Sequence, residues 1–286
     1  MKVLVLGGGG QVARAVAESV PDYSSVIVQS RQDLDVTNEA ALMAAVASAE
    51  PDWIVNGAAY TAVDRAESEP DTARAINDTA VGTMSRAASR YGCRLLHMST
   101  DFVFDGKSAR AYAPCDPTNP RSVYAATKLG GEKQAAQSNA VILRTAWVYA
   151  STGRNFALTM LRLMREKQEV RVVADQIGTP TWATGIAHAI WGLLSVSASP
   201  GIYHWTDLGV ATWYDFAVAI QDEALARGLL SRAIPVIPIG TEDYPTPAQR
   251  PAFSVLDTRA TRALVKVPAQ HWRHHLRSML DELRTA

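Results

Sequence analysis

A tyrosine and a lysine spaced four residues apart are the first chemically informative pair in the chain. Tyr124 and Lys128 lie within 122–137, where the residue pattern predicts a helix, so both side chains project from one helix face. A free phenol has a pKa of about 10, which is too high for acid–base catalysis near neutrality. A nearby ammonium group stabilises the phenolate and lowers that pKa. The pair therefore predicts a proton donor, Tyr124, that is assisted by Lys128.

A hydroxyl group at the end of an apolar run adds a third member to this pair. The run Arg94–Met98 has the composition of a buried strand, and Thr100 follows it closely. A threonine hydroxyl can donate a hydrogen bond to a carbonyl oxygen on which negative charge develops. The three residues together predict ketone reduction, in which a cofactor delivers hydride to carbon and Tyr124 protonates oxygen. A chance surface pair is the alternative for Tyr124 and Lys128.

A glycine-rich turn near the N-terminus predicts where that cofactor binds. Gly7 and Gly10 follow the apolar run 2–6 and precede a helical pattern over 11–20. Glycines let the backbone approach a pyrophosphate closely, and the N-terminus of a helix offers N–H groups to the anion. Ala13 stands where a third glycine is common, and alanine is the mildest replacement there. A flexible turn without ligand is the alternative, but the strand–turn–helix context favours a dinucleotide.

The end of the second predicted strand, 26–29, indicates which dinucleotide is used. An acidic residue at this place binds the ribose 2′-hydroxyl of NAD, whereas an arginine accommodates the 2′-phosphate of NADP. Ser30 and Arg31 precede any carboxylate, so the sequence favours NADPH and leaves NADH open. A solvated surface arginine is the alternative for Arg31. After the third predicted strand, the small residues Ala58 and Ala59 would let the cofactor lie flat across the sheet edge.

The elements that must position these residues alternate in type through the first half of the chain. Short β-branched runs are separated by longer helical patterns, which predicts βαβ units and a parallel sheet covered on both faces. The predicted strands are 2–6, 26–29, 53–56, 94–98, 140–144, 170–173, 201–204 and 235–239, and the predicted helices are 11–20, 38–49, 71–91, 122–137, 155–167, 181–196, 212–226 and 270–283.

This alternation predicts the α/β class with a doubly wound parallel sheet, the Rossmann architecture. Residues 1–150 are expected to form the NADP(H)-binding domain. Residues 151–286 are expected to form mainly a smaller C-terminal substrate-binding lobe, partly woven back onto the sheet. The prolines between 235 and 251 predict an extended loop, on the surface or over a site.

The composition excludes several classes of function. The 28 basic residues balance the 28 acidic ones, so no electrostatic footprint for nucleic acid or an anionic membrane is present. No apolar run approaches the roughly 20 residues that a membrane helix needs. Cys93 and Cys115 could pair, but two cysteines in 286 residues do not make a disulfide framework, and neither belongs to a metal-binding cluster. A reducing cytoplasm is the expected location, and no metal site is predicted.

Many short segments together resemble one family, the dTDP-4-dehydrorhamnose reductases, which are extended short-chain dehydrogenases. The resemblance covers most of the chain, and the combination is far more specific than any single motif. The segments are Gly10-Gln11-Val12, Asn56 through Asp64 with Ala66-Glu67, Ser99 through Gly106, Tyr124 and Lys128 with Gly131-Glu132-Lys133, Arg144 through Tyr149, Asn155-Phe156, Asp175-Gln176 with Gly178 through Thr181, Gly201 through His204, and Arg250-Pro251 with Ser254 through Asp257.

The resemblance implies reduction of the 4-keto group of dTDP-6-deoxy-L-lyxo-4-hexulose, giving dTDP-L-rhamnose. It implies that the sugar meets Thr100, Asp101 and Trp147, and that Asn155 and Arg250 meet the nucleotide or diphosphate end. Core packing is the alternative for Trp147, and a helix cap is the alternative for Asn155. Residues then expected to line the cofactor are Gly7, Gly10, Gln11, Val12, Ser30, Arg31, Asp35, Val36, Ala58, Ala59, Tyr60, Thr61, Tyr124 and Lys128.

The chain also departs from the family's pattern. Phe102 stands where the family usually has tyrosine. Some members carry a carboxylate near position 15 that serves a magnesium-linked dimer contact, and Ala15 occupies that place here. Magnesium is therefore not expected, and the chain could be a monomer or a homodimer.

Two other functions share this architecture. One is a different nucleotide-sugar reductase or a 4-epimerase, which would keep the same catalytic residues. The other is a non-catalytic NADP-binding regulatory subunit. A regulatory subunit has no need for Thr100, Tyr124 and Lys128 together, so their joint presence favours an enzyme.

Overall fold

The centre of the molecule is a six-stranded sheet in the order β10-β5-β4-β3-β1-β2, in which every neighbouring pair is parallel. This computed structural model describes residues 1–268 and 270–285. The strands are β1 (Lys2–Leu6), β2 (Ser25–Gln29), β3 (Trp53–Asn56), β4 (Arg94–Thr100), β5 (Val141–Thr145), β6 (Val148–Tyr149), β7 (Val170–Val173), β8 (Ile177–Gly178), β9 (Thr181–Trp182), β10 (Gly201–His204), β11 (Ala211–Thr212) and β12 (Val236–Ile239).

Helices cover both faces of this sheet. Alternate side chains of β1 show the two layers: Val3 and Val5 pack towards α1 and α8, whereas Leu4 and Leu6 pack towards α2 and α5. The helices are α1 (Gln11–Glu18), α2 (Glu39–Ala49), α3 (Val63–Ala66), α4 (Pro70–Arg74), α5 (Ala80–Tyr91), α6 (Val123–Ala136), α7 (Phe156–Glu166), α8 (Ala183–Ser195), α9 (Trp213–Ala226), α10 (Arg259–Val265) and α11 (Trp272–Thr285).

The doubly wound parallel sheet confirms the predicted fold class. The direction of chain progression reverses at β1, which lies between β2 and β3, and ligands of open α/β sheets bind at such a switch point. One predicted helix, 71–91, is divided: a π-helical turn, Ala75–Thr79, separates α4 from α5. No periodicity marked that turn, because a single wide turn barely changes the spacing of apolar residues.

A second hydrophobic core lies in the C-terminal half of the chain. It is formed mainly by α7, α9 and α11 together with the parallel pair of β7 and β12. The strand predicted over 235–239 is thus formed as β12, at the start of the proline-containing segment that was expected to be extended. The C-terminal half also supplies β10, which completes the main sheet beside β5, and α8, which packs on α1.

Two expectations drawn from composition have structural counterparts. Cys93 is buried and Cys115 is exposed, and both are free thiols, so the pairing that two cysteines permit is not formed. Within residues 1–268 and 270–285, the helices are all too short or too polar to span a bilayer.

Candidate active site

The carboxyl ends of β1, β3 and β4 bring the predicted site residues to one edge of the sheet. These strands are parallel neighbours, so the turns that follow them lie side by side. Helix α6 begins beside this edge, where the Ser122 hydroxyl accepts a hydrogen bond from the Ala125 N–H (3.2 Å). The side chains of Tyr124 and Lys128 therefore reach the same edge as the glycine turn after β1.

Helix α6 is fixed against the sheet by a buried ion pair one turn beyond Lys128. The Glu132 carboxylate accepts hydrogen bonds from Arg144 on β5 at 2.8 and 2.7 Å. It also accepts one from the Ser99 hydroxyl on β4, at 2.5 Å. Breaking a buried pair leaves an uncompensated charge, so this contact strongly restrains the register of α6 on the sheet.

Tyr124 is half-buried, and its phenol lies beside the Thr100 side chain. Phe102 packs edge-on against it, with ring centroids 5.8 Å apart. Burial raises the pKa of the Tyr124 phenol to about 12, the Thr100 hydrogen bond acts in the opposite direction, and the Asp101 carboxylate raises it further. In this state the phenol therefore holds its proton firmly at neutral pH.

Lys128 is almost completely buried, and its ammonium is bound to the strand backbone. Nζ donates to the Met98 carbonyl at 2.7 Å and lies 3.4 Å from His97 Nε2. The sequence predicted an ammonium near the Tyr124 phenol on the same helix face, and in the structure Nζ donates to the backbone of β4. Burial lowers the pKa of Lys128 to about 8, and Glu132 opposes this shift.

Two buried polar residues that sequence reasoning missed connect Lys128 to the cofactor side. The Asn56 side-chain amide lies 3.0 Å from His97 Nδ1, and its oxygen accepts a hydrogen bond from the Ala58 N–H (3.0 Å). Burial and the Lys128 charge keep the pKa of His97 well below its ordinary value, so the ring is neutral. The available signal was a polar residue next to apolar ones: Asn56 ends the apolar run of β3, and His97 stands between Leu96 and Met98 in β4.

Asp101, expected to contact the sugar, is only 2 % exposed. Its Oδ1 accepts a hydrogen bond from the Thr100 hydroxyl at 3.0 Å. Burial raises the pKa of Asp101 to about 6, although hydrogen bonds from Ser254, Thr100 and the backbone oppose the shift. Oδ2 is buried and has no partner at hydrogen-bonding geometry.

A cleft of about 280 Å³ lies over the glycine turn. Gly7 adopts φ +83°, and a Cβ there would lie 2.6 Å from the Ala58 nitrogen, so only glycine fits this turn. The predicted residues that line the cleft are Gly7, Gly10, Arg31, Asp35, Val36, Ala58, Ala59 and Thr61, and Gly9, Leu34, Gly57 and Ile76 join them.

The N-terminus of α1, which follows the glycine turn, has the features that a dinucleotide phosphate requires. No side chain caps α1, and its first turn contains no acidic residue. In contrast, α2, α6, α7 and α9 are each capped by a side chain. The uncapped N–H groups and the positive end of the helix dipole therefore suit an anion. Ala13 is buried in the core, in agreement with its expected packing position.

Six predicted cofactor residues lie outside the lining of this cleft: Tyr124 and Lys128, described above, and Gln11, Val12, Ser30 and Tyr60. The Ser30 hydroxyl donates to Asp33 at 2.6 Å, and the Tyr60 hydroxyl donates to Glu69 at 2.7 Å. Gln11 accepts a hydrogen bond from Asn155, and Val12 packs against the core next to the sheet. These side chains already have structural partners, so their contribution to cofactor binding stays a prediction.

A second cavity, of about 390 Å³, contains two of the predicted substrate residues, Trp147 and Arg250. The Trp147 ring stacks on Trp213 at a centroid distance of 3.5 Å. Trp147 has φ +46°, and a Cβ on Gly178 would lie 2.5 Å from its ring. The wall of this cavity thus depends on Gly178, whose role the sequence did not disclose. Phe102 lines the same cavity and contacts Tyr124, which connects it to the catalytic residues.

Arg250 and Asn155 already have protein partners. Arg250 donates to Asp64 at 3.0 and 2.8 Å and to Thr246 at 2.6 Å, so its guanidinium is oriented before any ligand binds. Asn155 caps α7 by accepting a hydrogen bond from the Leu158 N–H, and it donates to Gln11 at 2.8 Å. The cap that was the alternative for Asn155 is therefore formed.

Comparison with known proteins gives consistent matches over the whole chain. The family model described as RmlD substrate binding domain matches residues 1–285. A dTDP-4-dehydrorhamnose reductase of Burkholderia thailandensis is 41 % identical over 286 residues, which is 96 % of each chain. The dTDP-4-dehydrorhamnose reductase of Escherichia coli K12 is 38 % identical and covers 100 % of this chain and 99 % of its own.

Solved structures agree with these matches. A dTDP-4-dehydrorhamnose reductase from Clostridium acetobutylicum superposes with a TM-score of 0.93 at 35 % identity, covering 99 % of this chain and 100 % of that one. The dTDP-4-dehydrorhamnose reductase of Bacillus anthracis in complex with NADP gives 0.92 at 31 % identity, covering 98 % and 99 %. A UDP-glucose 4-epimerase of Thermus thermophilus gives 0.83 at 20 % identity over 100 % of each chain, a likeness of fold alone.

Proposed function

The chain belongs to the dTDP-4-dehydrorhamnose reductase family, and on that premise we propose that it reduces the 4-keto group of dTDP-4-dehydrorhamnose to dTDP-L-rhamnose with NADPH. The observation that supports the proposal most directly is the meeting of Tyr124, Thr100 and Lys128 at the carboxyl end of β4, on the sheet edge that carries the glycine turn. The buried Lys128 lies on the same helix as Tyr124.

In this proposal the protein's own residues manage the proton and the carbonyl oxygen. When bound, NADPH supplies the hydride. Tyr124 donates its phenolic proton to the oxygen that becomes the 4-hydroxyl, and Thr100 orients that oxygen. Lys128, whose Nζ is held by the Met98 carbonyl on β4, would also hold the hydroxyls of the nicotinamide ribose, and its charge would stabilise the phenolate.

The preference for NADPH rests on Arg31 and on one relative. Arg31 is exposed and lines the cleft over the glycine turn, where the 2′-phosphate of the adenosine ribose would lie. Asp35 lines the same cleft and accepts two hydrogen bonds from Thr37. In the proposed complex it would face the edge of the adenine ring. The relative from Bacillus anthracis binds NADP.

The substrate assignment rests on the aromatic cavity beside Tyr124. The stacked indoles of Trp147 and Trp213 offer a flat apolar wall for a sugar or a pyrimidine ring. The guanidinium of Arg250 faces the same cavity and suits a diphosphate. The expected partner is a nucleotide-diphosphate sugar.

The expected location of the reaction is the cytoplasm. Cys93 and Cys115 are both free thiols, which fits a reducing compartment.

The test is NADPH oxidation with a panel of 4-keto nucleotide sugars, with the product identified by NMR. We expect turnover with dTDP-4-dehydrorhamnose and little with uridine or guanosine analogues. Tyr124→Phe should bind NADPH nearly as tightly as the parent while turnover falls by about 100-fold or more, the scale of acid–base catalysis. Full activity of Tyr124→Phe would refute the proton-donor role. Tight cofactor binding without turnover of any sugar would indicate a regulatory protein instead.

A further inference from the structure

The hydroxyl of Thr100 already uses its one hydrogen. It donates to Asp101 Oδ1 at 3.0 Å and accepts from the Phe102 N–H at 3.2 Å, and the Tyr124 phenol lies beside it. A hydroxyl has one hydrogen, so no donor capacity is left. Thr100 can turn its hydrogen towards a phenolate or a substrate oxygen only if it stops donating to Asp101.

Asp101 can replace that lost hydrogen bond only if it carries a proton. When Oδ1 is protonated, Asp101 donates a hydrogen bond to Thr100 and Thr100 donates one to Tyr124. All three side chains then remain hydrogen-bonded. A protonated carboxyl also fits the surroundings of Asp101: it is 2 % exposed, its Oδ2 has no partner at hydrogen-bonding geometry, and burial outweighs the hydrogen bonds from Ser254, Thr100 and the backbone, which favour the ionised form. An ionised carboxylate in such a place is costly.

We propose that Asp101 is a catalytic acid that returns a proton to Tyr124 through the hydroxyl of Thr100 after each reduction. This inference rests on the proposed function, because it needs Tyr124 to lose a proton in every turnover. It gives Asp101 a chemical role in addition to the sugar contact that the family resemblance implies.

The step balances as follows. The two electrons of the hydride form the new C–H bond, and the phenolic O–H bond breaks as the alcohol O–H bond forms, which leaves a Tyr124 phenolate. Thr100 transfers its proton to the phenolate and takes the carboxyl proton of Asp101. Asp101 becomes a carboxylate and recovers one proton from water when the product leaves. The net consumption is one hydride and one solvent proton per alcohol formed.

The acidities of the two end groups suit this direction of transfer. The pKa of Asp101 is raised to about 6, mainly by burial. Such a carboxyl takes up a proton from water near neutrality and still gives it to a phenolate, since burial raises the pKa of Tyr124 to about 12.

The decisive experiment is rapid mixing of the NADPH-loaded Asp101→Asn variant with excess keto sugar. Tyr124 is protonated at the start, so the first turnover should keep a rate within about threefold of the parent, while later turnovers slow by about tenfold or more. NADPH oxidation should therefore show a burst of one equivalent per site. The steady-state solvent deuterium isotope effect should rise.

Two further variants separate the relay from folding and from simple binding. Thr100→Ser keeps the hydroxyl and should behave like the parent, whereas Thr100→Val should lose the steady-state rate. Asp105→Asn is the matched control, because Asp105 is a nearby carboxyl outside the hydrogen-bonded chain from Tyr124 to Asp101. It should show neither the burst nor the changed isotope effect.

Several results would overturn the proposal. One is an Asp101→Asn variant with higher KM but unchanged kcat and isotope effect, which would leave Asp101 as a sugar contact alone. Another is a first turnover slowed as much as the later ones.

A substrate-independent measurement separates this proposal from the proposed function. ¹³C NMR of the NADPH complex can follow the Asp101 carboxyl, whose signal is identified by its absence from the spectrum of Asp101→Asn. This signal should titrate near pH 6, the raised pKa of Asp101. If the pKa of Asp101 were as low as that of an ordinary aspartate, proton transfer from Asp101 to Tyr124 would be excluded even if the enzyme is active. A raised pKa in a protein that reduces none of the 4-keto sugars would overturn the proposed substrate instead.

Discussion

At the scale of single residues, the site is organised by what burial does to acids and bases. Burial raises the pKa of Tyr124 to about 12 and lowers that of Lys128 to about 8. The phenol therefore keeps its proton, and the ammonium loses its proton more readily than an exposed lysine does. A proton donor benefits from the first effect. The second sets an upper pH limit for any role that needs a charged Lys128.

We therefore predict a basic limb in the pH dependence of kcat/KM. The folded-state pKa of Lys128 is lowered from 10.5 to about 8, so the ammonium is lost as pH rises through about 8. Activity that needs this charge should fall about tenfold per pH unit above that point. The measurement is kcat/KM across the range from neutrality to pH 10 with NADPH saturating. A flat profile over that range would contradict a charged Lys128 in the reaction.

A second prediction at this scale concerns the choice of cofactor. Arg31 is an exposed residue of the cofactor cleft, so its removal should leave the fold intact. Arg31→Ala should weaken NADPH by about tenfold or more, the scale of a lost charge-assisted contact to phosphate, and should hardly affect NADH. Dissociation constants from quenching of tryptophan fluorescence check this. Equal losses for both cofactors would exclude a 2′-phosphate contact.

Sequence reasoning identified residues through their type and spacing but not through their partners. Tyr124, Lys128 and Thr100 were found because hydroxyl and ammonium groups at the ends of predicted elements are informative by themselves. The partnership of His97 with Asn56 was not found, because it depends on the register of β3 against β4. Local sequence does not encode that register.

At the scale of elements, long periodic segments were predicted well and short ones were missed. β1, β3, β7 and β10 have the predicted bounds, and α6 begins and ends within one residue of its prediction. The short strands β6, β8, β9 and β11 were missed, since two residues carry no periodicity. These short strands form because tertiary contacts bring their segments together.

Attachment of the C-terminal helix gives the prediction at this scale. Glu223 on α9 accepts hydrogen bonds from Arg273 and Arg277 on α11 at 3.1 and 3.0 Å, and from Arg227 at 3.0 Å. Burial alone would raise the pKa of Glu223, but the arginines bring it down to about 2. This contribution to stability is therefore present above pH 4.5, the ordinary pKa of a glutamate, and is lost as pH falls towards about 2.

Glu223→Gln should lower the free energy of unfolding at pH 7 by about 1 to 2 kcal/mol, a value discounted for the partly exposed arginines. The deficit should shrink as pH falls below 4.5. Urea unfolding at several pH values measures both effects. Asp222→Asn is the matched control, because that neighbouring carboxylate pairs with Arg273 at an exposed position and should change stability by less than about 0.5 kcal/mol. Equal effects of the two variants would contradict the assigned role.

At the scale of the whole molecule, the two halves of the chain are joined through the sheet. The Trp191 indole of α8 donates to the Val16 carbonyl at 3.2 Å, and β10 pairs with β5. Asn155 binds Gln11 beside the glycine turn. The assignment of cofactor binding to residues 1–150 and of substrate binding mainly to residues 151–286 stays a prediction. A fragment of residues 1–150 would expose the face of α1 that α8 covers.

Unfolding should consequently be one cooperative transition for both halves. Calorimetry should give equal calorimetric and van't Hoff enthalpies. NADPH at about 100 times its dissociation constant adds about 2.7 kcal/mol of stability, and fluorescence of Trp213, in the C-terminal core, should report the same rise in Tm as far-ultraviolet circular dichroism. Two transitions, of which NADPH shifts only one, would mean that the halves unfold independently. Cofactor binding would then not stabilise the C-terminal half through the shared sheet, and residues 1–150 should fold alone.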